Sequence, residues 1–346
     1  MKKDILSMDY NELEDNILAL GEKKFRARQV FEWLHKHKVR DFSQMTNLSA
    51  QFRTVLDEYF YIYSLKIVKK LVSRVDNTVK YLYKLNDDAV VEAVVMNYKH
   101  GNSLCISTQV GCKMGCRFCA STIAGFERNL SASEMLSQLY MAQSESGEKI
   151  SNIVLMGIGE PLDNYENVIR FLEILSSKYG HDFSLRNVAL STCGKIDKII
   201  ELAEKRYGLS LSISLHAPND ELRRQLMPIA NNYKISELIE ACKTYFEMTG
   251  RRITFEYALI ENVNDSIECA DELAGILTGF PLHINLIPIN KIDERDYMPS
   301  SKDRAAAFKN RLEQSGMSVT IRRTLGADID AACGQLRKEY RTEDIN

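Results

Sequence analysis

At 346 residues, with 45% hydrophobic and 27% charged side chains, the chain has an ordinary globular composition and room for one large domain and a smaller one. A formal net charge of −2 excludes a wholly basic nucleic-acid binder, and no apolar run approaches membrane-spanning length. The N-terminus is charged and has no signal-peptide core, so a cytoplasmic, membrane-free protein is expected, and its eight cysteines point to metal or redox chemistry rather than a disulfide framework.

Residues 1–62 read as a helical unit. Asp9-Tyr-Asn-Glu12 has the form of a capping box, followed by Leu13, Ile17 and Leu20 at helical spacing. A second helix over 24–37 is expected to bury Phe25, Val30, Trp33 and Leu34, and a third spans 49–59. Lys23, Lys24, Arg26, Arg28, Lys36, Lys38 and Arg40 stand against only Glu22 and Glu32. Such a run is commonly a solvated helix face, and it also suits phosphate-backbone contact.

Residues 63–98 change period. Lys66–Val72, Thr78–Tyr83 and Val90–Met96 are β-branched and partly alternating, with turn residues between them, so a short antiparallel β extension is expected. From residue 104 strands and helices alternate. Strands are expected at Leu104–Val110, Asn152–Gly157, Asn187–Thr192, Leu209–Leu215, Ile253–Leu259 and His283–Asn290, with Ser318–Thr324 continuing the sheet. Helices are expected near 131–146, 164–178, 195–206, 233–247, 264–277 and 302–315. Six β-then-α units predict an α/β fold with an open, partial (β/α)6 barrel, two units short of a closed one. Such folds place chemistry at the C-terminal ends of their strands.

Just past the first barrel strand stands Cys112-Lys-Met-Gly-Cys116-Arg-Phe-Cys119. Three thiolates at this spacing can hold three irons of a [4Fe–4S] cubane and leave the fourth open, whereas closed clusters use four cysteines. Short cysteine spacings also make structural zinc sites, and Cys105 is near enough in sequence to be a fourth ligand. The spacing resembles the signature of radical S-adenosylmethionine (SAM) enzymes, in which the amino and carboxylate groups of SAM chelate the open iron.

Other rim positions fit that resemblance. Met156-Gly-Ile-Gly159-Glu160-Pro161 follows the second strand. It is similar to the glycine–glutamate element that holds the SAM amino group, although taken alone it is a turn before a helix. Ser191, the run Ser214-Leu215-His216 and Asn290 end the third, fourth and sixth strands and become candidate SAM contacts as a set. Near the C-terminus, small residues flank Cys333 in Ala331-Ala-Cys333-Gly, which suits a loop entering a crowded site, although free thiols are commonly inert and buried.

Ser107-Thr-Gln-Val-Gly-Cys112, Gly159-Glu160-Pro161, Ser214-Leu-His-Ala-Pro-Asn219 and Asp328-Ile-Asp-Ala-Ala-Cys333-Gly-Gln-Leu336 together resemble the RlmN/Cfr family of radical SAM RNA methyltransferases. Phe25-Arg-Ala-Arg-Gln-Val-Phe-Glu-Trp33 and Met45-Thr-Asn-Leu48 resemble its helical accessory domain. The resemblance implies a radical SAM barrel over 99–346 and two SAM molecules per turnover. Cys333 would carry an S-methyl group. Cys105 would take a proton from the RNA adduct and close a transient disulfide with Cys333. Glu92 matches a position assigned as proton acceptor, a role that a lone strand glutamate does not announce. Cys193, Cys242 and Cys269 match no catalytic position.

The RlmN branch methylates adenine C2 in the peptidyl-transferase region of 23S rRNA, and some members also act on the adenosine next to the tRNA anticodon. The Gly-Glu-Pro-Leu and His-Ala-Pro-Asn wording is closer to this branch than to the Cfr branch, which methylates C8 and confers resistance to ribosome-targeting antibiotics. A flavodoxin-type electron donor and a monomeric chain are expected by the same likeness. The rival readings are a radical SAM enzyme on a non-RNA substrate, which leaves Cys333 without a role, and a zinc-stabilised RNA-binding protein, which would be colourless.

Overall fold

The computed structural model describes residues 2–99 and 101–336. Its first helix, α1 (Tyr10–Ala19), begins with the expected capping box: the Glu12 amide donates to the Asp9 carboxylate at 2.9 Å, and the Asp9 amide donates back to Glu12 at 3.2 Å. Leu13 and Ile17 point inward. Helix α2 (Lys24–His35) buries Ala27, Val30, Phe31, Leu34 and His35. Phe25 was expected inside but is 52% exposed, because the buried stripe runs through positions 27, 30, 31 and 34 and leaves position 25 on the far face. Trp33 is only half-buried and donates its indole N–H to Asn47 at 2.6 Å. Helix α3 (Ala50–Tyr59) is capped by Ser49 and buries Phe52 and Leu56. These helices share one apolar core with the rest of the chain. His35 and the Tyr140 hydroxyl meet across that boundary at 3.0 Å.

One ten-stranded sheet organises everything else. Its strands are β1 (Lys66–Val72), β2 (Val79–Lys84), β3 (Val90–Tyr98), β4 (Gly101–Cys105), β5 (Ile150–Leu155), β6 (Val188–Thr192), β7 (Ser210–Ser214), β8 (Ile253–Leu259), β9 (Leu282–Pro288) and β10 (Val319–Ile321). They lie side by side in chain order. Strands β4 to β10 are parallel, and β1 to β3 continue the same sheet antiparallel. The β extension is therefore joined to the barrel by a full ladder between β3 and β4.

The crossovers carry α4 (Ala132–Ser146), α5 (Tyr165–Ser176), α6 (Ile196–Glu204), α8 (Ile235–Thr249), α9 (Ile267–Ile276) and α10 (Lys302–Gln314), with a short additional α7 (Asp220–Leu226) after β7. Six βα units form the open barrel, as the alternation predicts. The first barrel strand is shorter than expected: it ends at Cys105, and Gln109–Val110 instead pairs with Arg128–Asn129 in a separate ribbon. The chain leaves the sheet there because Ser107 and Thr108 are claimed by other partners, described below. Strand β10 is also cut to three residues. Among the described residues no helix is long and apolar enough to cross a membrane.

Candidate active site

One cavity opens at the C-terminal ends of the parallel strands, and Cys105, Cys112, Cys116, Cys119 and Cys333 all line it. The Arg117 amide ties the 112–119 loop to the Leu226 carbonyl at 3.0 Å, and within the loop the Cys119 amide donates to the Cys116 carbonyl at 3.2 Å. Burial pushes the Cys112 thiol up to about 12 and Cys116 well above its usual range, and the charges of neighbouring cysteines add to this. Cationic iron reverses that preference, because a coordinating thiol is deprotonated outright. Three thiols that line one cavity fit three corners of a [4Fe–4S] cubane whose fourth iron is left open. Cys105 lines the same cavity at the end of β4, and the charges that act on its thiol are those of Cys333 and Arg322.

The rim holds most of the expected SAM contacts. Gly159 lines the cavity at φ +111°, and a Cβ there would fall 2.7 Å from Gln109 Cβ and 2.8 Å from Thr108 Oγ1. The glycine is thus required for packing the β5 loop on residues 108–109 as well as for leaving the cavity clear. Glu160 is buried, and its carboxylate accepts the Leu162 amide at 3.0 Å and the Cys193 amide at 2.8 Å. Burial raises its pKa, while these bonds pull it back. A carboxylate so fixed, with a face on the cavity, suits an ammonium group. Ser191 and Ser214 also line the cavity, with their hydroxyls 3.4 Å apart.

His216 lines the cavity at φ +60°. Its Nδ1 accepts the Ala258 amide at 2.9 Å, and burial holds the ring neutral, with a pKa near 3. Asn290 reaches the cavity and donates to the Cys333 carbonyl at 3.1 Å. Leu215 differs from the rest: its side chain is fully enclosed in the core, and its carbonyl accepts from Arg223 at 3.2 Å.

Cys333 is exposed on a loop that closes one side of the cavity, while Cys105 is buried at the end of β4. Burial pushes the Cys105 thiol up to about 12, charge on Cys333 adds to this, and Arg322 opposes it. Arg322 lines the same wall. Burial disfavours its charge, but Cys333, Glu256, Tyr98 and Cys105 outweigh that and keep it protonated. Glu92 does not reach the cavity. It is wholly enclosed on β3, two residues before Val94, which pairs with Cys105 and does line the cavity. Its carboxylate meets Lys80 at 3.2 Å. Of the remaining cysteines, Cys193 lies at the cavity wall, Cys242 is in the core and Cys269 packs against the core.

Several supporting residues have no motif to reveal them. Arg223 is fully buried and donates to the carbonyls of Cys193 at 2.7 Å and Leu215 at 3.2 Å, tying the ends of β6 and β7 together. Gln138 of α4 brackets Ser107, accepting its amide and donating to its carbonyl, both at 2.9 Å. Asn164 donates to the Thr108 carbonyl at 2.8 Å, and the Ser107 hydroxyl donates to the Glu92 carbonyl at 2.6 Å. These bonds take residues 107–108 out of the strand and bend the chain toward Cys112.

Residues 3–62 match the family description "Ribosomal RNA large subunit methyltransferase N-terminal domain", and residues 106–273 match the Radical SAM superfamily. A probable dual-specificity RNA methyltransferase RlmN of Lachnoclostridium phytofermentans is 51% identical over 339 residues, 98% of this chain and 95% of the relative. The protein of the same description from Lachnospira eligens is 52% identical over 343 residues, 99% of this chain and 98% of the relative. The crystal structure of a radical SAM methyltransferase from Sphaerobacter thermophilus superposes with a TM-score of 0.93 at 40% identity, covering 97% of this chain and 100% of that one.

Proposed function

The chain belongs to the RlmN family of radical SAM RNA methyltransferases, and on that footing we propose that it methylates C2 of an adenosine in the peptidyl-transferase region of 23S rRNA. It is an enzyme that acts on RNA with a [4Fe–4S] cluster and SAM. The observation that supports the methyl-carrier chemistry is the convergence of the cluster trio, Glu160, Cys105 and Cys333 on one cavity, while the Gly-Glu-Pro-Leu and His-Ala-Pro-Asn wording favours C2. The dual-specificity description of the relatives supports extending the substrate to the adenosine next to the tRNA anticodon. We further propose a cytoplasmic monomer served by a flavodoxin-type donor, with residues 1–62 as the accessory unit that meets RNA. Lys23, Lys24, Arg28, Lys36 and Arg40 are exposed there, and Lys24 and Arg28 already pair with Glu14 and Glu32.

Cys112, Cys116 and Cys119 would hold the cluster, and Glu160, with Gly159, Ser191, Ser214, His216 and Asn290, would orient SAM. Bound there, a reduced cluster would supply one electron to SAM and so furnish a 5′-deoxyadenosyl radical. Cys333 takes a methyl group from a separate SAM: its thiolate displaces the sulfonium and releases S-adenosylhomocysteine. It then gives up one hydrogen atom of that methyl group to the 5′-deoxyadenosyl radical, which leaves as 5′-deoxyadenosine, and the methylene it still carries bonds to adenine C2. Cys105 takes the C2 proton, the one electron that the adduct gives up would return to the oxidised cluster, and Glu92 would be the final acceptor of that proton. Cys105 sulfur then bonds to Cys333 sulfur. The sulfur–carbon bond breaks, and the carbon keeps the electron pair and gains a proton to become the product methyl. Two electrons from the donor reopen the disulfide.

Peptide mass spectrometry of the reconstituted holoenzyme, incubated with SAM and no RNA, tests this reading. A methyl group on Cys333 is the expected result. Unmodified Cys333 in an enzyme that consumes SAM would contradict it.

A further inference from the structure

Lys80 is an unusual residue to find inside a protein. It sits on β2 with a side chain only 2% exposed, on the sheet face shared by Glu92 and Val94. Its ammonium touches the Glu92 carboxylate at 3.2 Å and the main-chain carbonyl of Asp330 at 3.0 Å. A buried ion pair is a poor source of stability, because desolvation offsets its attraction; its attested use is to fix one arrangement against others. Here the arrangement it fixes is that of the segment leading to Cys333. Asp330 lies three residues before Cys333 and holds a left-handed backbone, φ +50°, which a residue with a side chain adopts at a cost unless its surroundings impose it.

The rest of the β1–β2 hairpin grips the same segment. The Gly326 amide donates to Asp76 at 2.8 Å, and the Arg74 amide donates to Asp328 at 3.0 Å. Gly326, at φ +65°, lies so close to Thr78 that a Cβ would fall 2.9 Å from its methyl group. Leu325, Ile329, Ala331 and Leu336 pack on Val94, Met96 and Cys105. Beyond Cys333 the anchors change: the Gly334 carbonyl accepts from Ala120, and the Leu336 carbonyl accepts from Ser121, both at 2.8 Å. Cys333 thus hangs between a hairpin clamp on one side and the cysteine loop on the other.

We propose that Lys80 is a positioning residue for Cys333, a buried latch that couples Glu92 on β3 to the main chain of the Cys333 loop and so holds the thiol over Cys105. The proposal rests on the reading of Cys333 as methyl carrier, but the docking of the loop can be measured independently. Removing the ammonium while keeping the stem, as Lys80→Met does, frees the Asp330 carbonyl and loosens residues 326–336. Lys80→Arg keeps a cation and restores part of the hold.

The test is hydrogen–deuterium exchange of the reconstituted holoenzyme, read on peptides spanning 326–336, beside Cys333 methylation by SAM in the same samples. Lys80→Met is expected to speed exchange there by about tenfold or more and to slow Cys333 methylation, with the visible spectrum of the cluster unchanged and with Lys80→Arg between it and wild type. Asp328→Ala, which removes an exposed hairpin anchor at little risk to folding, is expected to act in the same direction more weakly. Exchange unchanged in Lys80→Met, or faster exchange with undiminished methylation, would overturn the latch. If Lys80→Met does not fold, equal exchange in Lys80→Arg, Asp328→Ala and wild type would overturn it. Absence of methyl on Cys333 in the wild type would instead defeat the methyl-carrier reading and leave the exchange result standing.

Discussion

Cys105 and Cys333, 228 positions apart by their numbering, face one cavity, and a charge on Cys333 is felt at the Cys105 thiol. One ends a buried strand and the other is exposed on an anchored loop, an arrangement suited to a resolving group and a methyl carrier that share one cavity. Cys333→Ala is expected to abolish RNA methylation while leaving SAM cleavage intact. Cys105→Ala is expected to stall after carbon–carbon bond formation, so a covalent protein–RNA species accumulates on denaturing gels. Free RNA alone from Cys105→Ala, methylated at the wild-type rate, would remove Cys105 from the account.

Glu160 is held by two main-chain amides that keep its carboxylate aimed into the cavity. Glu160→Gln retains its size but has one acceptor oxygen and no charge for an ammonium partner. SAM affinity should drop by about 10- to 100-fold, roughly 1.4 to 2.7 kcal/mol. Equilibrium dialysis against labelled SAM reads this, with cluster absorbance as the control for an intact site.

Gly159→Ala adds a methyl group where φ is +111° and where Gln109 and Thr108 leave no room. A destabilisation of about 1–3 kcal/mol is expected, together with loss of SAM binding. Thermal unfolding and SAM binding would both register it, and an unchanged Tm would show that the loop can yield.

Burial holds His35 near 3, with a smaller push from His181, against 6.5 for the unburied group. Below pH 6.5 the unfolded chain therefore binds a proton that the folded chain refuses. Stability falls as pH drops from about 6.5 toward 3. His35→Gln removes this group, so between pH 6 and 4 the wild type should lose up to about 1.4 kcal/mol per pH unit more than the variant. Denaturant unfolding at several pH values measures the difference in slope; equal slopes would show that His35 is protonated inside.

The periodicities carried most of the architecture. The β-branched run Val90–Met96 and the β-then-α rhythm after residue 104 reappear as β3 and six crossover units, because local patterning and the sheet agree there. The end of the first barrel strand was not readable: Ile106-Ser107-Thr108 has good strand residues, and only Gln138 and Asn164, brought in by α4 and the turn before α5, turn it aside. The motif cysteines and Glu160 were legible because metal and SAM chemistry constrain their spacing. Lys80, Arg223 and Arg322 were not, since a long charged side chain reads as surface until its partner is known. Lys80 finds one of its partners 250 positions away. Phe25 failed for the opposite reason, as an apolar residue that the helix turns outward.

The most direct measurement is nucleoside mass spectrometry. The cluster is reconstituted without oxygen, SAM, reductant and an unmodified 23S rRNA fragment are added, and the RNA is digested. The account predicts 2-methyladenosine from the wild type and none from Cys333→Ala. 8-Methyladenosine would contradict the position of methylation, and 2-methyladenosine from Cys333→Ala would contradict the mechanism.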